Sequence, residues 1–459
     1  MISLVSKKTT PLFIEFCVKF VEENESVMFL WEDNYFKSVL FSDVALLKSN
    51  FTYFSSINKD LSFFKNNISF KIISLRNYKC LFQHTFYNTE FIIGKKVNFI
   101  SQNNPTGYGY AARNYIHQLL TNDFDVYWNV SKFYECSYKS FDEHEQHILN
   151  KIDKESTDNS YDTCIIHSLP EDWNEIIIKN TSFHEKLIGS TVWETTKLNN
   201  KWINIINNSD VDEIIVPSNF NLEVFKNSGI EKPINIWRYD ILPIDYSKLQ
   251  NIQTIYHKFR MYTNSKFLKN PEKIEEIFNN KTVYYNISQY SERKNIDQII
   301  KTFCSKFTKD DKVCLFIKTY LQQFTPSQTE YLKYKFYSII KNFKNPPDLI
   351  FCFEKLSDIE IQSLHNTFDV YFTLNRGEGF GLCSYTAKKF GSKVICGKFG
   401  AEKEFLNDDD ILIDYELVPT FNMHLFHNYY DDNNQMWASY NDGVVLKKLE
   451  YIPKKTPAQ

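Results

Sequence analysis

Asn375 to Leu382 reads NRGEGFGL, a stretch whose residue types suit an anion that also carries hydroxyl groups. It follows an apolar run, Asp369 to Leu374, that suits a buried parallel strand. It precedes Cys383 to Phe390, which lacks Gly and Pro and suits a helix. Strand, glycine turn and helix together bring backbone N–H groups and a positive helix end to the carboxyl edge of a sheet. Gly377, Gly379 and Gly381 let the backbone approach a ligand, and Glu378 sets one carboxylate among them. Amides for phosphate and a carboxylate for hydroxyls fit a sugar nucleotide. A plain strand-to-helix turn is the simpler alternative.

A second pair with chemistry is Arg293 and Lys294, in QYSERKNIDQIIKTF after the strand-like Thr282 to Ser288. Two cations just before a helix would hold a diphosphate and stabilise it as a leaving group; a solvated basic turn is the alternative. Gly107 and Gly109, in NNPTGYGYAARNYIHQLL, form another glycine loop between a strand, Lys96 to Gln102, and a helix. The third glycine of a dinucleotide fingerprint is missing, as is an acidic ribose partner at the expected offset, so a nicotinamide cofactor is not expected. His167 ends the strand Asp162 to His167. Trp193 and Glu194 end Leu187 to Glu194, exposed toward the same edge. A ring face and a carboxylate match the apolar and hydroxyl sides of a sugar. A locally hydrogen-bonded histidine, and an aromatic plug with a solvated acid, are the alternatives. Asp210-Val-Asp212 spells a D-x-D metal motif but leads into a strand, and His144/His147 and His424/His427 lack further ligands, so no metal site is expected.

These residues need an alternating β/α framework to bring them together. Strands are expected at Asp125 to Val130, Val313 to Lys318, Leu349 to Phe353 and Val394 to Gly397. Helices are expected near Asp142 to Ile152, and over Leu222 to Asn227, Ser327 to Asn342, Ile359 to Phe368 and Glu402 to Leu406. Both the Arg293–Lys294 loop and the Glu378 loop would leave carboxyl ends of one parallel sheet and so meet over one crevice. At 459 residues the chain has room for two or three domains. The expected division is an N-terminal α/β extension over 1–95, with a helix at Leu12 to Val21 and strands at Val27 to Trp31 and Phe70 to Leu75. A Rossmann-like lobe over 96–243, a crossover over 244–280, a second Rossmann-like lobe over 281–425 and a tail over 426–459 follow.

A formal charge of −3 and a pI near 6.4 exclude a dedicated nucleic-acid binder. Nine scattered cysteines without CxxC spacing point to buried free thiols in a reducing compartment. The N-terminus has Glu15 within its apolar part, which argues against a signal peptide. No run nears the roughly 20 apolar residues of a membrane span. The expectation is a cytoplasmic protein, host-cytoplasmic if encoded by an AT-rich DNA virus, with peripheral membrane contact left open.

RGEGFGL followed by CSYTAKKFGSKVIC resembles the signature of retaining, nucleotide-sugar-dependent glycosyltransferases, most similar to glycosyltransferase family 4. That family carries a glutamate, seven residues, then a second glutamate. The first matches Glu378, and the second falls on Thr386, a departure at the position that grips the ribose. GYGYAARN, IIHSLPEDW, the segment from Trp193 through Val216-Pro-Ser, ERKN and GAEKEFL are also similar to family segments, in order from about Lys96 to Leu406. The resemblance implies an α/β chain with the GT-B fold: two doubly wound parallel-sheet lobes facing across a cleft. It implies transfer of a sugar from a UDP- or GDP-linked donor to a glycan, protein or lipid acceptor hydroxyl, with retention and without metal or other cofactor. It gives Glu378, Arg293, Lys294 and His167 catalytic roles. The donor would lie against Gly107, Gly109, Asn375, Arg376, Gly377, Gly379, Phe380, Gly381, Leu382, Thr386 and Glu404, with Glu404 sharing the ribose contact that Thr386 lacks. Trp193 and Glu194 would face the acceptor. A non-catalytic GT-B binding protein and a nucleotide-sugar epimerase are the alternatives.

Overall fold

The computed structural model describes residues 2–6, 27–32, 36–41, 94–102, 106–122, 124–130, 160–179, 183–240, 249–322, 324–421, 423, 427–430 and 434–455. Met1–Asn88 and Thr89–Gln459 are two compact units. In the first, β1 (Ile2–Ser6) runs parallel to β2 (Val27–Glu32), which pairs antiparallel with β3 (Phe36–Phe41). The expected helix at Leu12 to Val21, the strand at Phe70 to Leu75, the acidic helix near Asp142 and the His144/His147 pair lie outside the described residues.

The second unit holds two parallel sheets. In the N-terminal lobe β4 (Lys96–Ser101), β5 (Asp125–Val130), β6 (Ser160–His167), β7 (Phe183–Ser190), β8 (Glu213–Val216) and β9 (Ile234–Ile236) line up as β5-β4-β6-β7-β8-β9, all parallel. The C-terminal lobe has eight strands. Its parallel part contains β12 (Thr282–Ile287), β13 (Val313–Lys318), β14 (Asp348–Cys352), β15 (Val370–Phe372), β16 (Lys393–Gly397) and β17 (Ile411–Ile413), ordered β14-β13-β12-β15-β16-β17. β12 and β13 are buried along their whole length, which is why they read as unbroken apolar runs. Each sheet reverses direction beside its first strand, at β4/β6 and at β12/β15. Loops leaving the carboxyl ends of such strand pairs diverge to opposite faces and open a crevice.

Of the interval 244–280, expected as a crossover, the described residues 249–280 form part of the second lobe. β10 (Phe259–Thr263) pairs antiparallel with β14, and β11 (Lys266–Leu268) extends it at the edge. Ile274, Ile277 and Phe278 of the following helix bury against Val283, Tyr285 and Phe316. The polar charge pattern there is the solvated side of an edge layer. The tail is likewise built in: β19 (Met436–Ser439) pairs with β18 (Glu416–Pro419), and Gln298 Nε2 donates to Tyr440 O at 2.7 Å and to Asp442 Oδ1 at 2.7 Å. Glu402 to Leu406, expected as a helix, is only a 3-10 turn at Glu402–Glu404.

The helices carry local signals that the sequence supplies. α1 (Gly107–Thr121) buries Ala111, Ala112, Tyr115, Ile116 and Leu119 on one face. In order, α2 (Pro170–Lys179), α3 (Asn200–Asn208), α4 (Asn219–Asn227), α5 (Pro271–Asn280), α6 (Ile296–Lys306), α7 (Pro326–Ile340), α8 (Asp358–Thr367) and α9 (Leu382–Lys389) follow. Ser218 caps α4, and Gly229 ends it at φ +93°. Cys304, Cys314, Cys352 and Cys396 are buried free thiols, Cys383 is a half-buried one, and Cys164 is buried in the N-terminal lobe. Among the described residues no helix is long and apolar enough to cross a membrane.

Candidate active site

The two loops at the β12/β15 reversal are stapled together by backbone. Arg376 N donates to Arg293 O at 2.7 Å, and Asn295 Nδ2 donates to Leu374 O at 3.2 Å. This brings Arg293 and Lys294 against Glu378. Arg293 Nη1 donates to Gly377 O at 2.8 Å and to Glu378 Oε2 at 3.2 Å, while Lys294 Nζ bonds both Glu378 oxygens, Oε2 at 3.1 Å. Across the cleft, Glu194 of the N-terminal lobe pairs with Arg293 Nη2 at 3.5 Å, and Tyr430 donates its hydroxyl to Glu194 Oε2 at 3.0 Å. The cluster thus takes one group from β7's loop, two from β12's, one from β15's and one from the C-terminal segment.

Burial alone would raise the Glu378 pKa, but Lys294 and Arg293 outweigh it and hold the carboxyl below its usual range. Burial would pull the Arg293 guanidinium down, and Glu194 and Glu378 overcome that. Both groups are therefore charged at neutral pH. Beneath them, Glu402 behaves differently. Its carboxylate is buried under Gly381, where a Cβ would lie 2.5 Å from Glu402 Cγ, and it accepts a hydrogen bond from Ser384 Oγ. Burial first, and then the negative charge of Glu378, push its pKa up to about 7.

The helix ends point the same way. α1, α3, α4, α5, α7 and α8 are each capped by a side chain, from Thr106, Asn199, Ser218, Asn270, Thr325 and Ser357. α6 and α9, which open on this crevice, have no side-chain cap; they start from left-handed residues, Asn295 at φ +53° and Gly381 at φ +89°. Their first N–H groups are left for a ligand or water to satisfy.

On the facing lobe, His167 ends β6 wholly buried. Its Nδ1 lies 2.9 Å from Ser190 Oγ, its Nε2 has no hydrogen-bond partner, and burial lowers its pKa to about 4. The ring packs 5.2 Å from Tyr108, whose hydroxyl lies 2.9 Å from Thr191 Oγ1. Gly109 N donates to Thr106 Oγ1 at 3.4 Å, and Gly107 has open space where a Cβ would stand.

Several expected residues are engaged elsewhere. Trp193 is not exposed: it is 1% accessible, stacks on Tyr430 at 5.3 Å and donates Nε1 to Thr195 Oγ1 and Lys197 O at 2.7 Å. A ring flanked by Trp202 and Tyr430 loses more water-exposed area inside than at the rim, so only Glu194 of the pair faces the cleft. Arg376 turns away from the crevice, donating to Glu292 O at 3.2 Å, Ala438 O at 3.3 Å and Asn295 Oδ1 at 3.3 Å. Phe380 and Leu382 flank the Gly381 turn, and Phe380 packs on Tyr239 at 5.0 Å. Asn375 Oδ1 is buried without a partner. Thr386 donates to Leu382 O at 2.8 Å. Glu404 accepts from Asn219 N at 3.1 Å and Phe220 N at 2.8 Å, capping α4 from the opposite lobe, and pairs with Arg238 at 2.5 Å. A ribose would have to compete with those partners. Asp212 Oδ2 accepts from Leu187 N at 2.7 Å, a structural use of the D-x-D step, and among the described residues no acid, His or Cys cluster could hold a metal.

The structure adds residues with no prior signal. Tyr430 reaches Glu194 from a segment that sequence patterning left unassigned, and Glu402 lies in a stretch where Glu404 drew attention.

No protein-family model matches the chain, and no curated protein matches its sequence. Solved structures with a similar backbone include Anabaena HepE in complex with UDP and glucose, at 13% identity and TM-score 0.43, covering 70% of this chain and 86% of that one. Another is α,α-trehalose 6-phosphate synthase from Burkholderia multivorans, at 10% identity and TM-score 0.46, covering 70% and 87%. A third is an S. aureus TarM mutant with fondaparinux, α-GlcNAc-glycerol and UDP, at 16% identity and TM-score 0.37, covering 55% and 45%. The chain is built as a mixed α/β protein with two doubly wound lobes.

Proposed function

We propose that the chain is a glycosyltransferase that moves a sugar from a nucleotide-sugar donor to an acceptor hydroxyl, with retention and without a metal. One observation carries this reading: Arg293, Lys294 and two uncapped helix ends meet Glu378 at the β12/β15 reversal, facing Glu194 across the cleft. A diphosphate there would accept N–H groups from α6 and α9 and take over the two cations that Glu378 holds. Freed from them, Glu378 would accept hydrogen bonds from sugar hydroxyls. The bond from the anomeric carbon to the diphosphate oxygen breaks, and the acceptor oxygen bonds that carbon on the same face. The acceptor proton passes to the departing diphosphate, whose charge Arg293 and Lys294 stabilise. His167, neutral at pH 7, would contact the sugar through Nε2, and Glu194 with Tyr430 would orient the acceptor.

Replacing Arg293 and Lys294 with Ala should lower nucleotide release from UDP- or GDP-sugar by about a hundredfold or more, with the circular dichroism spectrum retained. Undiminished turnover would remove the assignment. Thr386 favours a second reading, a GT-B protein that binds a glycan without transfer, because its hydroxyl is tied to Leu382 O and brings no carboxylate to the ribose position. Slow hydrolysis of the donor in the absence of acceptor separates the two, since it requires a competent site.

A further inference from the structure

One cation at the donor edge has no part in the arrangement above. Lys318 is the last residue of β13, in register with Ile287 of β12 and Cys352 of β14. Adjacent strands lie about 4.8 Å apart, so it stands one strand from the strand that feeds the Arg293–Lys294 loop. Side chains alternate along a strand, which puts Lys318 on the face of Cys314 and Phe316, the side packed by Leu364 of α8 and Ala387 of α9. It is 7% exposed, yet among the described residues no carboxylate or hydrogen-bond acceptor holds its ammonium. Nζ lies instead 4.6 Å from the ring centre of Tyr320 and 5.0 Å from that of Phe324, and those rings stack at 4.8 Å.

A lysine this buried is normally paired. Burial pushes its pKa down, as expected for a cation without a counter-ion. The half-buried Cys383 thiol, raised chiefly by burial, feels the charges of Lys294, Glu378 and, more weakly, Lys318.

We propose that Lys318, Tyr320 and Phe324 form the nucleobase subsite of the donor pocket and favour a base presenting a carbonyl oxygen, uracil or guanine, over adenine. This rests on the donor-site reading above. With the diphosphate at the ends of α6 and α9, the nucleoside can run along the carboxyl edge toward β13. A base needs an apolar face to stack on and a partner for its edge; the two rings supply the first and the ammonium the second. A keto oxygen accepts from the ammonium, whereas the exocyclic amino group of adenine presents a donor to a donor. A further phosphate would gain nothing from the ring faces.

The test is calorimetric titration of the full chain with UDP, GDP, ADP and inorganic pyrophosphate, for wild type, Lys318→Met and Phe324→Ala. Wild type should bind UDP or GDP about tenfold or more tighter than ADP. Lys318→Met should erase that preference and leave pyrophosphate unchanged, and Phe324→Ala should weaken all three nucleotides but not pyrophosphate. An unaltered base preference in Lys318→Met overturns the proposal. So does a parallel loss of pyrophosphate, which would make Lys318 a phosphate ligand. If Lys318→Met does not fold, Phe324→Ala decides, because its ring is 39% exposed; undiminished nucleotide affinity there refutes the subsite. Wild type that binds pyrophosphate but treats the three nucleotides equally refutes the subsite alone. Wild type that binds none of the four ligands sinks the donor-site reading as well.

Discussion

Glu378 is the residue on which the two cations converge, and its neutral isostere separates its two roles. Glu378→Gln releases Arg293 and Lys294 from a competing carboxylate, so nucleoside diphosphate should bind several-fold tighter. It also removes the acceptor for sugar hydroxyls, so turnover should fall by about a hundredfold. Calorimetry with the product nucleotide beside steady-state kinetics reads both, and a parallel loss of binding and turnover would contradict the assignment. Trp193 tests a different point. Because the ring is core and not a sugar platform, Trp193→Ala should cost about 3–5 kcal/mol of stability, read by denaturant titration, in contrast to the small cost of removing an exposed ring.

At the scale of elements, the glycine loop joins the lobes as well as shaping a site. A Cβ on Gly377 would overlap Glu194 O, and one on Gly379 would overlap Val192 Cγ2 and lie 2.6 Å from Trp193 O. Ser218 Oγ and Asn221 Nδ2 donate to Gly379 O at 2.7 and 3.0 Å, so the loop docks on the N-terminus of α4. Gly379→Ala should therefore lower the melting temperature and increase hydrogen exchange at α4 and the Glu378 loop together, while the separate sheets stay protected. Exchange that changes only at the substituted loop would show that the glycine serves local backbone freedom alone. Ser218→Ala removes the α4 cap and a contact between lobes in one step, an expected loss of about 1–2 kcal/mol.

The whole molecule carries buried titrating groups with opposite signs. His167 and His365 titrate at about 4 and about 3 when folded, against 6.5 unfolded, because burial disfavours their charged forms. Between about pH 4 and 6.5 for His167, and about 3 and 6.5 for His365, the unfolded chain binds the extra proton, so this stability is present above 6.5 and is lost as pH falls. Glu402 works in reverse: its folded value of about 7 lies above 4.5, so its contribution is present below 4.5 and is lost as pH rises through 7. Glu402→Gln should accordingly gain melting temperature relative to wild type on going from pH 5 to pH 8. A difference that stays constant with pH would place the Glu402 proton elsewhere.

Most strands and helices of the described lobes, their parallel sheets, and the meeting of the Arg293–Lys294 and Glu378 loops at one crevice were legible from residue order, whereas Glu402 to Leu406 was not. These features depend on apolar periodicity and on the rule that loops leave parallel strands at one edge, both of which are local in sequence. The edge strands within 249–280 leave little trace in the sequence because a half-solvated antiparallel layer has weak periodicity. Tertiary structure alone decided that Trp193 is core, that Arg376 braces loops, that Glu404 caps α4 from across the cleft, that Tyr430 and Glu402 reach the crevice, and that Lys318 is buried against Tyr320 and Phe324. Residue type and spacing state what a side chain can do. Which partner it meets is fixed by contacts between residues as far apart as 194 and 430, whose proximity exists only once both lobes have packed.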